Sequence, residues 1–216
     1  MKKQFLSITA TLLIASAFVL TSCNKEDTTA PTVTLKGDSE VVIYIGDNYT
    51  EAGATATDLD GKDNESDVSS SIVITGAVDK TKAGSYTISY KATDEAGNAS
   101  TEVKRTVKVK HSNATLSGSY TGSESCNFGP VAAYNGTISN GTTGILSIVA
   151  GNLGDFTTTI NIPATLSGDF NEKITLTSGN YAGLAMAGTG TIEPDGKKIT
   201  ISYTAGTDNC TATWLK

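Results

Sequence analysis

Hydrophobic residues recur at every second position along most of this chain, not at every third or fourth. Val33 and Leu35, then Val41, Ile43 and Ile45, then Ile72 and Ile74 each alternate with polar neighbours. Tyr86, Ile88 and Tyr90 do the same, as do Val103, Val107 and Val109, with Arg105 the exception on that last face. Strand side chains point alternately to the two faces of a sheet, so a period of two predicts half-buried strands. Turn-forming residues separate the runs: Gly46-Asp47-Asn48, Asp60-Gly61, Ala83-Gly84 and Asp94-Glu95-Ala96-Gly97-Asn98. Six or seven short strands over residues 30–110 predict a two-sheet sandwich.

A second alternating region covers residues 114–216. Its strands read as Leu116 to Thr121, Tyr134 to Ser139, Gly144 to Ala150, Phe156 to Ile162, Glu172 to Ser178, Tyr181 to Ile192, Lys197 to Thr204 and Thr211 to Leu215. Asp195-Gly196 is a hairpin turn. Eight successive strands with short connections predict an antiparallel up-and-down meander, closed or nearly so. Residues 111–113 read as a polar linker, with His111 expected in solvent.

The start of the chain differs. Lys2 and Lys3 precede an apolar run from Phe5 to Leu20, too short to span a bilayer and typical of a secretory signal. It ends in Leu20-Thr21-Ser22-Cys23, which resembles a bacterial lipobox. That resemblance implies a signal peptide over residues 1–22, lipidation of Cys23, and a membrane partner reached through the lipid. Residues 23–29 form a tether. Asn24-Lys25-Glu26-Asp27 resembles the acidic surface-export tag of Bacteroidetes lipoproteins, a solvated tether being the other reading. Asp27-Thr28-Thr29 resembles that phylum's O-glycosylation site.

Composition narrows the function classes. The 216 residues carry 16 Lys+Arg against 22 Asp+Glu, a net charge of −6. Loss of Lys2 and Lys3 with the signal takes this to −8. Such acidity excludes a nucleic-acid partner and leaves the lipid as the anchor. A single His leaves no material for a His-based triad or zinc cluster.

The first region carries a specific resemblance. Ala30-Pro31-Thr32-Val33, Tyr49 to Ala54, Ala56-Thr57-Asp58, Val78-Asp79, Gly84 to Tyr90, Ala92-Thr93-Asp94, Gly97-Asn98 and Arg105-Thr106-Val107 resemble the bacterial immunoglobulin-like (Ig-like) family named after a pesticidal crystal protein. The resemblance implies an Ig-like sandwich, with Gly84-Ser85-Tyr86 as a tyrosine corner and a spacer or adhesive role. The chain departs from the family at Asp60 to Asp67, where the turn is longer. In the second region, Leu116-Ser117-Gly118-Ser119-Tyr120 and Gly188-Thr189-Gly190-Thr191-Ile192, followed by Lys198-Ile199-Thr200-Ile201, are similar to lipocalin-like C-terminal domains of Bacteroidetes lipoproteins.

Of three cysteines, Cys23 is assigned to lipid, leaving Cys126 and Cys210 in an oxidising compartment. First and last strands of a closed meander are neighbours, so a disulfide is expected, contributing ~4 kcal/mol; two separate buried thiols are the alternative. No Cys-x-x-Cys is present. Asp58, Asp60, Asp63, Glu65 and Asp67 crowd one stretch, as calcium ligands do. The EF-hand order fails there, because Lys62 stands at the third ligand position and Asp63 where Gly is needed. The stretch reads as a turn-forming solvated loop, with no metal, and calcium is expected to leave the melting temperature unchanged. Tyr86, Tyr90 and Trp214 read as core, Tyr134 and Tyr181 as the exposed aromatic candidates for a glycan.

Asp155, Asp169, Glu172, Glu193, Asp195 and Asp208 fall mostly in turns, so no catalytic residue and no cofactor is assigned. The expected class is an all-β, non-enzymatic lipoprotein of the outer membrane, in which the Ig-like domain is a stalk that presents the C-terminal domain for binding or adhesion, to a glycan or protein, at the cell surface, with a periplasm-facing head as the other orientation. The alternatives are a carrier of a small apolar ligand inside the C-terminal barrel and, third, a hydrolase.

Overall fold

The computed structural model describes residues 26–62, 64–141, 146–150 and 159–216. Cys23, Asp63, Asp155 and the start of the strand expected at Phe156 lie outside them. The architecture is all-β, an Ig-like pair of sheets followed by an eight-stranded antiparallel barrel.

Seven strands build the first domain: β1 (Thr32–Leu35), β2 (Glu40–Tyr44), β3 (Ala54–Leu59), β4 (Glu65–Asp67), β5 (Val73–Thr75), β6 (Gly84–Lys91) and β7 (Val103–Lys110). One sheet runs β1-β3-β4 and the other β2-β7-β6-β5, with β2 parallel to β7. Val33, Ala56, Ile88, Tyr90 and Ala92 pack between them. Ile43, Val107 and Val109 form a second cluster. The expected alternation at Ile72 and Ile74 is not a buried face. Ile72 precedes β5 and packs partly against the first cluster, while Val73 and Ile74 are both exposed on β5, a short edge strand.

Arg105 is fully buried, because the backbone around it supplies acceptors. Its Nε donates to the Asp38 carbonyl at 2.8 Å and Nη1 to Tyr90 Oη at 3.1 Å. Nη2 donates to the Lys36 carbonyl, and Glu51 completes an ion pair. The guanidinium thereby ties β7 to the β1–β3 turns of the opposite sheet. Tyr86 forms the expected corner, its hydroxyl donating to the Lys82 carbonyl at 2.9 Å.

The second domain opens with a short helix, α1 (Asn113–Leu116), capped by Ser112 and Thr115 reciprocally. Leu116 therefore seals the barrel end from a helix and does not start a strand. The barrel strands are β8 (Gly118–Cys126), β9 (Gly129–Asn140), β10 (Leu146–Ala150), β11 (Ile160–Ser167), β12 (Lys173–Tyr181), β13 (Leu184–Ile192), β14 (Lys198–Ala205) and β15 (Asp208–Leu215). Each pairs with the next, and β15 returns to β8. The β12–β13 turn falls at Ala182-Gly183 rather than at the expected Gly179-Asn180. Both turn residues have positive φ, 52° and 87°, the conformation that two-residue hairpins require.

His111 is buried, contrary to the sequence expectation. Its N–H donates to the Phe170 carbonyl at 2.9 Å and its own carbonyl accepts from Asn171 Nδ2 at 2.7 Å. Residues 111–113 are thus a packed junction. A further bond, Ala83 N–H to the Pro194 carbonyl at 2.7 Å, joins the two domains.

Candidate functional site

Alternation decides what the barrel offers on each side. Inward positions carry Tyr120, Tyr134, Ile138, Ile148, Ile162, Ile174, Ile199, Ile201 and Trp214, all buried in one cluster. Trp214 meets Tyr120 and Tyr134 with ring centroids 5.9 and 6.0 Å apart. Room for these rings comes from glycine: a Cβ on Gly136 would stand 2.5 Å from the Trp214 ring. Trp214 is core, as expected. Tyr134 is not the exposed glycan candidate expected of it; its hydroxyl accepts from Trp214 Nε1 at 2.9 Å inside the barrel. Tyr181 is half-buried, its hydroxyl donating to the Thr177 carbonyl at 2.9 Å.

Glu124 is also buried inside. Tyr203 Oη donates to its Oε2 at 2.6 Å, and Tyr134 hydrogen-bonds to it as well. Burial, then the bond to Glu124, raises the Tyr203 phenol far above its ordinary value. Burial alone pushes Tyr120 up to about 12. These phenols are neutral donors at physiological pH; Tyr203 and Tyr134 hold the Glu124 side chain, and Tyr120 donates to the Leu116 carbonyl at 2.7 Å.

Cys126 and Cys210 face each other across β8 and β15 and are disulfide-bonded. The loop carboxylates serve local turns. Asp60 accepts from the Lys62 and Asn64 N–H groups at 2.8 and 2.9 Å, and Asp67 from the Ser69 N–H at 2.8 Å. Glu172 accepts from the Phe170 N–H at 2.9 Å, and Asp195 from the Lys197 N–H at 3.0 Å. Among the described crowded acids, Asp58 alone turns inward, toward Asp27 and Asp94.

The outer face of the barrel presents hydroxyls in register. Thr175, Thr189, Ser202, Thr211 and Ser125 stand side by side across five strands. A second row runs Thr191, Thr200, Thr213 and Ser123. Along the first row, on the side away from the second, opens a shallow groove of about 530 Å³ lined by Gly188, Thr175, Thr189, Ser202, Thr204 and Thr211. It continues into a second of about 490 Å³ toward Lys173 and Ser167. Ser202 Oγ and Thr211 Oγ1 lie 3.3 Å apart, so the hydroxyls share protons laterally. Sequence reasoning missed this surface. Its signal, Thr or Ser at every second position of β12 to β15, is visible in the chain, but the rows exist only once register is set.

Residues 33–109 match the family described as bacterial surface protein, Ig-like domain. No curated protein matches the chain. Among solved structures, the lipoprotein BT2262 from Bacteroides thetaiotaomicron is 22% identical, over 86% of this chain and 99% of its own, at a TM-score of 0.37. Two structures from Clostridium perfringens ZmpB are each 14% identical. CBM51-2 in complex with GlcNAc, with INT domains, matches over 86% of this chain and 44% of its own at a TM-score of 0.30. The M60 catalytic domain with CBM51-1 and CBM51-2 matches over 87% of this chain and 21% of its own at 0.31.

Proposed function

We propose, from a chain whose residues 33–109 are a bacterial surface Ig-like domain, that this protein is a non-enzymatic lipoprotein of the outer membrane. Cys23 is its anchor, the Ig-like domain its stalk and the barrel its binding head at the cell surface. The observation that carries the reading is the asymmetry of the barrel, whose interior is closed by side chains while its outside is an ordered hydroxyl surface. The carrier alternative is disfavoured by the same filling, because an apolar ligand would have to displace Trp214, Tyr134 and the isoleucines. Hydroxyls donate and accept without formal charge, so the groove suits a neutral polyhydroxylated ligand, a glycan.

The first experiment is protease treatment of intact cells, with lysed cells as control. Loss of the barrel domain on intact cells supports a surface head; protection until lysis removes the adhesion reading. For the ligand class, the mature chain is screened on a glycan array beside a Thr189→Glu, Ser202→Glu variant. Binding by the parent alone, at equal melting temperatures, supports the groove. Equal binding by both, or by neither, rejects it.

A further inference from the structure

Three carboxylates from separate parts of the chain converge at one end of the Ig-like domain. Asp27 precedes β1, Asp58 lies on β3, and Asp94 sits in the connection from β6 to β7. One oxygen from each lies within 4.8 Å of the other two. Asp58 is 6% exposed, and its Oδ1 is buried with no hydrogen-bond partner among the described residues. Among the described residues no Lys or Arg pairs with any of the three. A buried, unpartnered carboxylate oxygen beside two further carboxylates is costly unless a cation or a proton joins it.

We propose that Asp27, Asp58 and Asp94 form a Ca²⁺ site that pins the membrane-proximal segment to the Ig-like domain. The donors are all carboxylate oxygens, which select a hard cation. Two oxygens on opposite sides of one Ca²⁺, each at about 2.4 Å, stand about 4.8 Å apart, so the three fit one coordination sphere. The site is braced. Asn98 N–H donates to Asp94 Oδ1 at 2.7 Å and Asn98 Nδ2 to Asp94 Oδ2 at 2.9 Å. The same Nδ2 donates to the Asp27 carbonyl at 3.1 Å, clamping the two segments together. Asp27 Oδ1 accepts from the Thr29 N–H at 2.9 Å. Each carboxylate oxygen retains a second lone pair for a metal.

The consequence for anchoring rests on the lipoprotein reading above; the site itself does not. Three residues lie between Cys23 and Asp27, and the four Cα-to-Cα steps reach at most about 14 Å. Bound Ca²⁺ would hold the Ig-like domain that close to the lipid and leave little free tether.

The test uses the mature chain, purified in detergent and freed of metal with a chelator. CaCl₂ and MgCl₂ are titrated by calorimetry, and melting is followed with and without 1 mM Ca²⁺. In place of the unchanged melting temperature expected from the sequence of the acidic loop, one Ca²⁺ per chain is expected, with a rise of about 5 °C in the Ig-like transition, as for a site of extracellular-module affinity. Asp58→Asn and Asp94→Asn should each abolish the rise, and Asp27→Asn should weaken it. In chelator, Asp58→Asn should melt no lower than the parent, which shows that the variant folds. An Asp60→Asn, Asp67→Asn control should keep the rise. No binding by 5 mM of either cation overturns the proposal, as does a rise that survives Asp58→Asn or disappears only in the loop control.

Discussion

Arg105 and His111 are both fully buried, one with its polar atoms met and the other without. Arg105 is charged and satisfied by three carbonyls, a phenol and Glu51. Removing it strands that carboxylate and the carbonyls, so Arg105→Ala should cost about 3–5 kcal/mol in denaturant melts of the Ig-like domain. Among the described residues neither nitrogen of the His111 ring has a hydrogen-bond partner. Burial lowers its pKa from the model-compound value of 6.5, while the Glu172 and Asp195 carboxylates and the Glu193 backbone oppose this. The folded state therefore favours neutral imidazole, and the unfolded chain takes up the proton first. Stability is full above about pH 6.5 and declines as pH falls toward the depressed folded-state value. His111→Asn should flatten the melting temperature between pH 7.5 and 5.5; an unchanged slope would place the titration elsewhere. Neither burial was legible in the chain, because a polar residue's surroundings are set by which remote carbonyls face it. Arg105 stood out as a break in an apolar face, whereas His111 gave no sign.

Strands and turns were more readable, since their signals are local. Period two alone located eight barrel strands, and their ends moved where a turn's dihedral angles outweighed composition. Ala182 holds φ at 52°, unfavourable for a residue with a Cβ. Ala182→Asn or Ala182→Gly should stabilise the β12–β13 hairpin by about 0.5–1 kcal/mol in thermal melts. The disulfide joins the strands that close the barrel, across 84 residues of sequence separation. Replacing both Cys126 and Cys210 by Ala should cost about 4 kcal/mol in the barrel transition. Gly136 is constrained by the aromatic plug: Gly136→Ala would press a methyl against Trp214 and the Val149 carbonyl, and loss of the near-UV Trp signal would report it.

At the scale of the molecule, two β domains meet through a few bonds at Ala83, His111 and Asn171. Contacts of that kind leave domain cores separate. Calorimetry should resolve two transitions, with Arg105→Ala lowering one and loss of the disulfide the other; a single merged transition moved by both would mean a shared core. The chain itself determined the all-β class, the strand succession, the tyrosine corner and the Cys126–Cys210 neighbourhood. The corner follows from the family resemblance, the others from spacing between residues close in sequence or from the closure of a meander. Only tertiary structure decided that Tyr134 points inward, that His111 is buried, that Thr and Ser line up across β12 to β15, and that Asp27, Asp58 and Asp94 converge. Those depend on register and on approach between distant segments, which alternation leaves open until the sheets close.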